Sequence, residues 1–257
     1  MRRAFTLIEV LVVIAIMALL ISILLPALGG ARTAGKQIQA LANARTVAQS
    51  FGLYLNDYDQ TYPFIKPGSM DGMPGGDDVL FFQWYPEGTF IGVAPPFDVM
   101  GWAWPAVLKN VAPWEENYSV WVSPGKDTTL PESASLGSHD MDPSEDISWR
   151  YSNAFVSDPK LWNGNAVNDP SLYRAVHEHE VTGMSGKVLL WDTHLAYLRG
   201  EPELVEGHWD APTPMAFADS HAEVRNPLDA AEGVFNPLTG SRTRLHNTPN
   251  GVRGMDY

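Results

Sequence analysis

Polarity changes once, and sharply, along this chain. Residues Met1 to Leu28 read MRRAFTLIEVLVVIAIMALLISILLPAL: two arginines, a small residue, then an apolar run broken by a single acid, Glu9. From Val10 to Leu28 there are 19 positions without a charge, and only Ser22 and Pro26 interrupt the aliphatic sequence. A helix from Phe5 to Leu28 is about 36 Å long at ~1.5 Å per residue, enough to cross a hydrocarbon core of ~30 Å. Arg2 and Arg3 then hold the short N-terminal end on the cytoplasmic side.

Beyond Pro26 the pattern becomes amphipathic. Apolar or small residues recur at Ile38, Leu41, Ala44, Ala48, Phe51 and Leu55, spaced 3, 3, 4, 3 and 4, the period of a helix with one buried stripe. This helix should end near Asn56–Asp59, before Tyr62-Pro63. Joined to the first run it makes one rod of about 52 residues and ~78 Å. Pro26 and Gly29-Gly30 are then expected to kink the rod or to melt locally. The alternative is two unconnected helices, and the helical pattern on both sides of the break favours continuity.

The remainder is more broken. Pro63 to Gly101 holds 13 Gly or Pro among 39 residues, which argues against long regular elements. Its aromatics Phe81, Phe82, Trp84, Tyr85 and Phe90 are expected to fold back as a satellite core in preference to an exposed adhesive patch. Trp104–Val111 reads as a short helix with Pro105 near its start, Ser119–Val122 as a strand stopped by Ser123-Pro124, and Lys126–Asp146 as an acidic surface loop. Lys187–Asp192 is a continuous apolar run, the mark of a central strand. Met215–Ala218 and Ala222–Arg225 flank Asp219-Ser220-His221 and predict a hairpin. From Asn236 onward the chain is expected to be irregular and packed at the sheet edge.

Composition narrows the function. With 257 residues, setting aside a stalk of roughly 60 leaves about 200, ample for one well-buried domain. There are 17 basic and 30 acidic side chains, net −13; loss of Arg2 and Arg3 leaves 15 against 30, net −15. A surface that acidic lacks the basic stripe that nucleic acid needs and disfavours anionic lipid. Divalent cations remain plausible ligands. There is no cysteine, so the domain is held by packing or by a bound ion.

Glu9 is the informative residue. An acid inside a lipid-length helix costs on the order of 3 kcal/mol at mid-membrane, less near the interface, so a mere anchor would do better with Leu. A cut between Ala4 and Phe5 leaves a cationic amino terminus four residues from Glu9. In a packed array, the ammonium of one subunit can meet the carboxylate of its neighbour, and the pair makes wrong register expensive.

The run Ala4-Phe5-Thr6-Leu7-Ile8-Glu9-Val10 resembles the prepilin processing motif of the type IV pilin and type II secretion pseudopilin superfamily. Phe5 matches the mature N-terminus, Glu9 the acid at the fifth mature position, and Pro26 a helix-kinking proline; Ala4 stands where Gly is more usual. The phrase Phe217–Val224 resembles the F-A-D-G-H-V-E hairpin of the long-head pilin-like type, with Ser220 in place of the turn glycine. Ser123 stands where such relatives often carry a Cys. The resemblance implies an α+β fold, a long N-terminal helix packed on an antiparallel β-sheet with large loops. It divides the chain into a leader (1–4), a transmembrane or filament-core helix (5–28), its amphipathic continuation (29–62) and a β-rich head (63–257).

Functionally, the resemblance implies a bacterial structural protein. Prepilin peptidase would cut after Ala4 and methylate Phe5. The partners would be further copies, other pilins, the inner-membrane assembly platform and, before assembly, the lipid bilayer. The head would lie in the periplasm until the filament forms there or outside the cell. Pilus, secretion pseudopilus and minor subunit are not separated at this level. The competing reading is a secreted or membrane-anchored module for a ligand or metal, in which residues 1–31 are only an anchor or a signal cut at Ala27-Leu28-Gly29 or Gly29-Gly30-Ala31.

Candidate chemistry in the head is sparse. His177-Glu178-His179-Glu180 lacks the H-E-x-x-H spacing of zinc proteases. Asp192-x-His194, His208-x-Asp210 and Asp219-x-His221 could converge on a transition metal, but polar residues at turns more often bond nearby backbone. Asp140, Asp142, Glu145 and Asp146 form an acidic cluster of the kind calcium uses. No nucleophile elbow is present, and Gly72-x-x-Gly75-Gly76 lacks the context of a phosphate loop. Neither an enzyme nor an organic cofactor is expected; calcium or another divalent ion is the candidate ligand.

Overall fold

The structure is a computed structural model that describes residues 7–64, 80–85, 88–92, 101, 104–105, 107–108, 110–126, 128, 147–164, 169–198, 210–237 and 240–257. Its organising element is helix α1, Leu7–Asp57, 51 residues without interruption, about 76 Å of rod. The chain is helical through Pro26 and Gly29-Gly30, so the apolar and amphipathic runs form one rod. Pro26 has no N–H to offer the Ser22 carbonyl. The Ser22 hydroxyl turns back onto the Leu19 carbonyl at 2.8 Å. At its C-terminal end α1 gives way to Asp59 and Gln60 in left-handed conformation (φ 51° and 54°). The emerging chain is then tied to the head: Glu178 N–H donates to Gln60 O and Tyr62 N–H to Val176 O, both at 2.8 Å.

Among the described residues, only the second half of α1 meets the head. The buried line is Ala40, Ala44, Val47, Ala48, Phe51, Tyr54 and Leu55. This corrects the predicted stripe at one end: Ile38 is 68 % exposed, and Leu41 is half-buried. Spacing alone favours the larger aliphatics, whereas the contact uses alanines, whose small side chains bring the helix axis close to the strands.

The described strands form two sheets. Strands β1 (Leu80–Tyr85) and β2 (Gly88–Gly92) make a short antiparallel hairpin; the exposure of its aromatics lies outside what is described. Strands β3 (Trp149–Tyr151), β4 (Val188–Asp192), β5 (Thr213–Phe217) and β6 (Ala222–Arg225) form an antiparallel sheet in sequence order. Strand β4 pairs with β3 through Trp149↔Asp192 and with β5 through Trp191↔Met215. It is therefore internal, and all its residues are buried, which is why it reads as a continuous apolar run. Helix α1 packs on β4, β5 and β6. The β5–β6 hairpin falls where predicted, and Ser220 adopts the left-handed φ of +67°, the conformation for which the resembling motif uses glycine.

One predicted element is wrong in type. Ser119–Val122 is not a strand; Trp114–Trp121 forms helix α2. The four apolar-leaning residues were too short a window. The deciding signals lie upstream, where Pro113 stops the preceding chain and Glu115-Glu116 place acids in a first turn, favoured by the helix dipole.

The core is tryptophan-built. Trp104, Trp121, Trp149, Trp162 and Trp191 are fully buried. Phe51 of α1 packs on Trp104 and Tyr151 at ring distances of 5.4 and 5.0 Å. Two of the indole N–H groups bond to backbone: Trp104 Nε1 donates to Trp149 O at 3.0 Å and Trp149 Nε1 to Val120 O at 2.8 Å. The irregular tail, as expected from its composition, packs back on the head. Its Asp256 and Tyr257 N–H groups both donate to Gly186 O, at 2.8 and 3.2 Å.

The corrected stripe makes a prediction. Ala44→Leu, which overpacks the helix–sheet contact, should destabilise the full-length protein in detergent by about 1–3 kcal/mol, whereas Ile38→Ala should change it by less than about 0.5 kcal/mol. Urea denaturation of both variants checks this; equal losses would contradict the assignment.

Candidate functional site

The first half of α1 has a geometry that a self-contained protein does not need. Every residue from Leu7 to Leu28 is exposed. Leu7, Ile8, Leu11, Ile14, Leu20 and Leu25 are between 53 % and 83 % exposed, and they lie all round the rod, not along one stripe. A helix that is apolar on every side belongs in lipid or among other helices. By length and composition this segment suffices to cross a membrane. Glu9 lies in its first turn, where the partial positive charge of the helix N-terminus favours an acid. Ala4 and Phe5 lie outside the described residues, so the bond between them carries no geometry here. Past the bare segment, the next charges are all basic: Arg32, Lys36 and Arg45, with no acid until Asp57.

Residues 1–25 match the family described as the prokaryotic N-terminal methylation motif. The chain carries the type IV pilin and pseudopilin signature. No curated protein and no solved structure matches the chain. The match ends within the bare half of α1; the α+β arrangement is seen separately, in the packing of helix on sheet. A length of 257 residues is consistent with the long-head type. The signature marks a precursor of the kind processed by prepilin peptidase, with a membrane-inserting helix, and it points to a structural subunit rather than an enzyme.

In the head, the described polar residues that the sequence points to are engaged with the fold. Asp192, at the end of β4, is fully buried. Its Oδ2 accepts from Ser123 Oγ at 2.7 Å, and its Oδ1 from the N–H groups of His194 and Leu195 at 2.9 and 3.1 Å. Ser123 in turn accepts from Ala196 N–H at 3.1 Å. Ser123 thus pins the chain after α2 to the end of β4. Neighbouring His194 does not join Asp192 through its ring: Nδ1 lies 3.2 Å from Thr193 Oγ1. Burial, with Lys126 and Arg150 nearby, pushes the imidazole down to about 4.

The stretch His177–Glu180 is likewise engaged. It forms a tight turn rather than a strand. His177 Nδ1 meets Thr61 Oγ1 at 3.0 Å, and the His177 and His179 rings stack at 5.5 Å. Glu180 receives both Nη groups of Arg174 at 2.8 and 2.6 Å. That charged fork holds its carboxyl down to about 2, against a smaller opposing effect of burial. His221 pairs with Asp219 in the β5–β6 turn at 2.5 Å and stacks on Phe217. Among the described residues no three His, Cys, Asp or Glu side chains are grouped to hold a metal ion. His208 and the acidic cluster Asp140, Asp142, Glu145 and Asp146 lie outside those residues.

Asp192 supplies a pH prediction. Burial outweighs its hydrogen bonds and raises the carboxyl from 3.8 to about 6. Between those values the folded protein holds a proton that the unfolded chain has lost, so this group's contribution to stability is present below pH 4 and lost as pH rises through 6. Asn, uncharged throughout, keeps the two backbone hydrogen bonds. Asp192→Asn should therefore gain about 2–3 kcal/mol relative to wild type between pH 4 and pH 7. Urea midpoints of both proteins at those pH values measure it; a pH-independent difference would contradict the buried carboxylate.

Proposed function

We infer that this chain is a filament subunit, a pilin or pseudopilin, whose bare helix is the assembly element. The precursor inserts with Arg2 and Arg3 in the cytoplasm and the head on the far side of the membrane, as the positive-inside rule directs. Prepilin peptidase cuts between Ala4 and Phe5, and Phe5 becomes the methylated N-terminus. The leader (1–4), the core segment (5–28), its continuation (29–62) and the head (63–257) then have separate tasks. The assembly platform draws residues 5–28 from lipid into a core of neighbouring helices. The apolar environment is similar in both places, so transfer costs little.

The observation that carries this reading is the conjunction of the methylation motif with an all-round exposed apolar rod. Hydrophobic contact provides most of the cohesion. Glu9 sets register by meeting the Phe5 ammonium of an adjacent copy. Pro26 is the point at which the rod adapts to the filament, since its turn lacks one backbone hydrogen bond. The acidic heads form the outer skin. The alternative, a secreted or anchored ligand-binding module, requires the whole apolar segment to be a signal or passive anchor. The cost of carrying the Glu9 charge within an apolar span disfavours it.

Glu9→Ala tests the register role. Membrane insertion and processing should be unchanged, while filament yield should fall about tenfold or more, the effect of a coupling near 1.5 kcal/mol between close charges. Sheared-filament yield against total processed protein is the readout. Wild-type yield from the variant would remove Glu9 from the assembly mechanism.

A further inference from the structure

The most enclosed charged cluster among the described residues joins the start of β4 to the end of the chain. Lys187 is fully buried and Asp256 is 2 % exposed. Lys187 Nζ lies 3.1 Å from Asp256 Oδ2 and donates to Thr248 Oγ1 at 2.5 Å. The Thr248 hydroxyl donates in turn to Asp256 Oδ1 at 2.5 Å. Val188 N–H donates to Asp256 Oδ2 at 2.9 Å, and the Phe155 ring covers Nζ with its centroid 6.0 Å away. The backbone on both sides is fixed by the two hydrogen bonds that Gly186 O accepts from Asp256 and Tyr257.

Such an arrangement does more than pair two charges. Taking an ammonium and a carboxylate out of water is costly for both, and burial lowers the Lys187 amine from its ordinary value against the opposing pull of Asp256. Water exclusion brings the neutral amine and neutral acid closer in energy to the ion pair. One hydroxyl bridges the two groups, and a backbone N–H already holds the second carboxyl oxygen. Fixed proximity and a preorganised donor on a developing oxyanion are the conditions under which an otherwise slow condensation proceeds.

We propose that Lys187 and Asp256 form an intramolecular isopeptide bond that fastens the C-terminal tail to strand β4. A proton passes from Lys187 Nζ to Thr248 Oγ1 while the Thr248 hydroxyl proton passes to Asp256 Oδ1, leaving a neutral amine beside a neutral acid. The amine lone pair attacks Asp256 Cγ, and Oδ2 carries the transient negative charge against Val188 N–H. A second amine proton reaches Oδ1 by the same relay; the Cγ–Oδ1 bond breaks and Oδ1 leaves as water. The ammonium and carboxylate have become one amide and one water, with no oxidant, cofactor or net change of charge. Oδ2 remains as the amide oxygen, still bonded to Val188 N–H. In a chain without cysteine, this bond closes the tail onto the sheet covalently. It does not depend on the filament reading.

Trypsin digestion of the full-length protein, followed by mass spectrometry, tests it. Cleavage follows Arg174, Arg199 and Arg253 but is blocked at a linked Lys187. The expected product is Gly254–Tyr257 branched onto Ala175–Arg199, lighter than the two peptides together by one water, with little free Gly254–Tyr257. Full recovery of free Gly254–Tyr257 and complete cleavage after Lys187, in protein held folded for days, overturns the proposal. Lys187→Arg keeps the charge but forms no such amide, so it should release the free tetrapeptide. Thr248→Val should slow bond formation at least tenfold; linkage at the wild-type rate overturns the relay.

Discussion

Apolar surface facing water is the constraint on which everything else turns. Sixteen large aliphatic or Met side chains between Leu7 and Leu28 lie bare on the rod. At about 1.5 kcal/mol each for burial, their exposure to water would forgo on the order of 20 kcal/mol. That exceeds the net stability of a typical domain, roughly 5–15 kcal/mol. A segment of this kind needs lipid or other apolar helices around it, and the head must be stable without it. The methylation motif falls on the same segment of the chain.

The head meets its half of this requirement with unusual means. Without a disulfide it relies on five fully buried tryptophans and on the second half of α1, whose alanines let the helix lie close on the sheet. Buried polar groups lock the joints: Ser123–Asp192 at the end of β4, and Lys187–Thr248–Asp256 at its start. The central strand is thus clamped at both ends, once to the chain leaving α2 and once to the C-terminal tail.

How much of this was legible in the sequence depends on range. The rod, its end near Asp57, strand β4 and the β5–β6 hairpin are set by neighbours in sequence, and each was readable from period and turn residues. Ile38 lies off the buried face because spacing cannot tell which of two adjacent stripes the sheet selects. Helix α2 resembles a strand at its C-terminal end, and the deciding signal lies in the upstream Pro113 and Glu115-Glu116. The polar clamps left no local trace: Ser123 and Asp192 are 69 positions apart, Lys187 and Thr248 61. Asp192 and His194 were singled out as possible ligands by their spacing, but the fold turns the carboxylate inward onto Ser123.

The central claim is that the bare helix remains on the finished protein as its assembly element. Intact mass and N-terminal sequencing of the protein recovered from its native membrane or surface fraction test this most directly. The account predicts a chain starting at Phe5 with a methylated amino group and retaining Leu7 to Leu28. A soluble product beginning between Gly29 and Arg32 would contradict it.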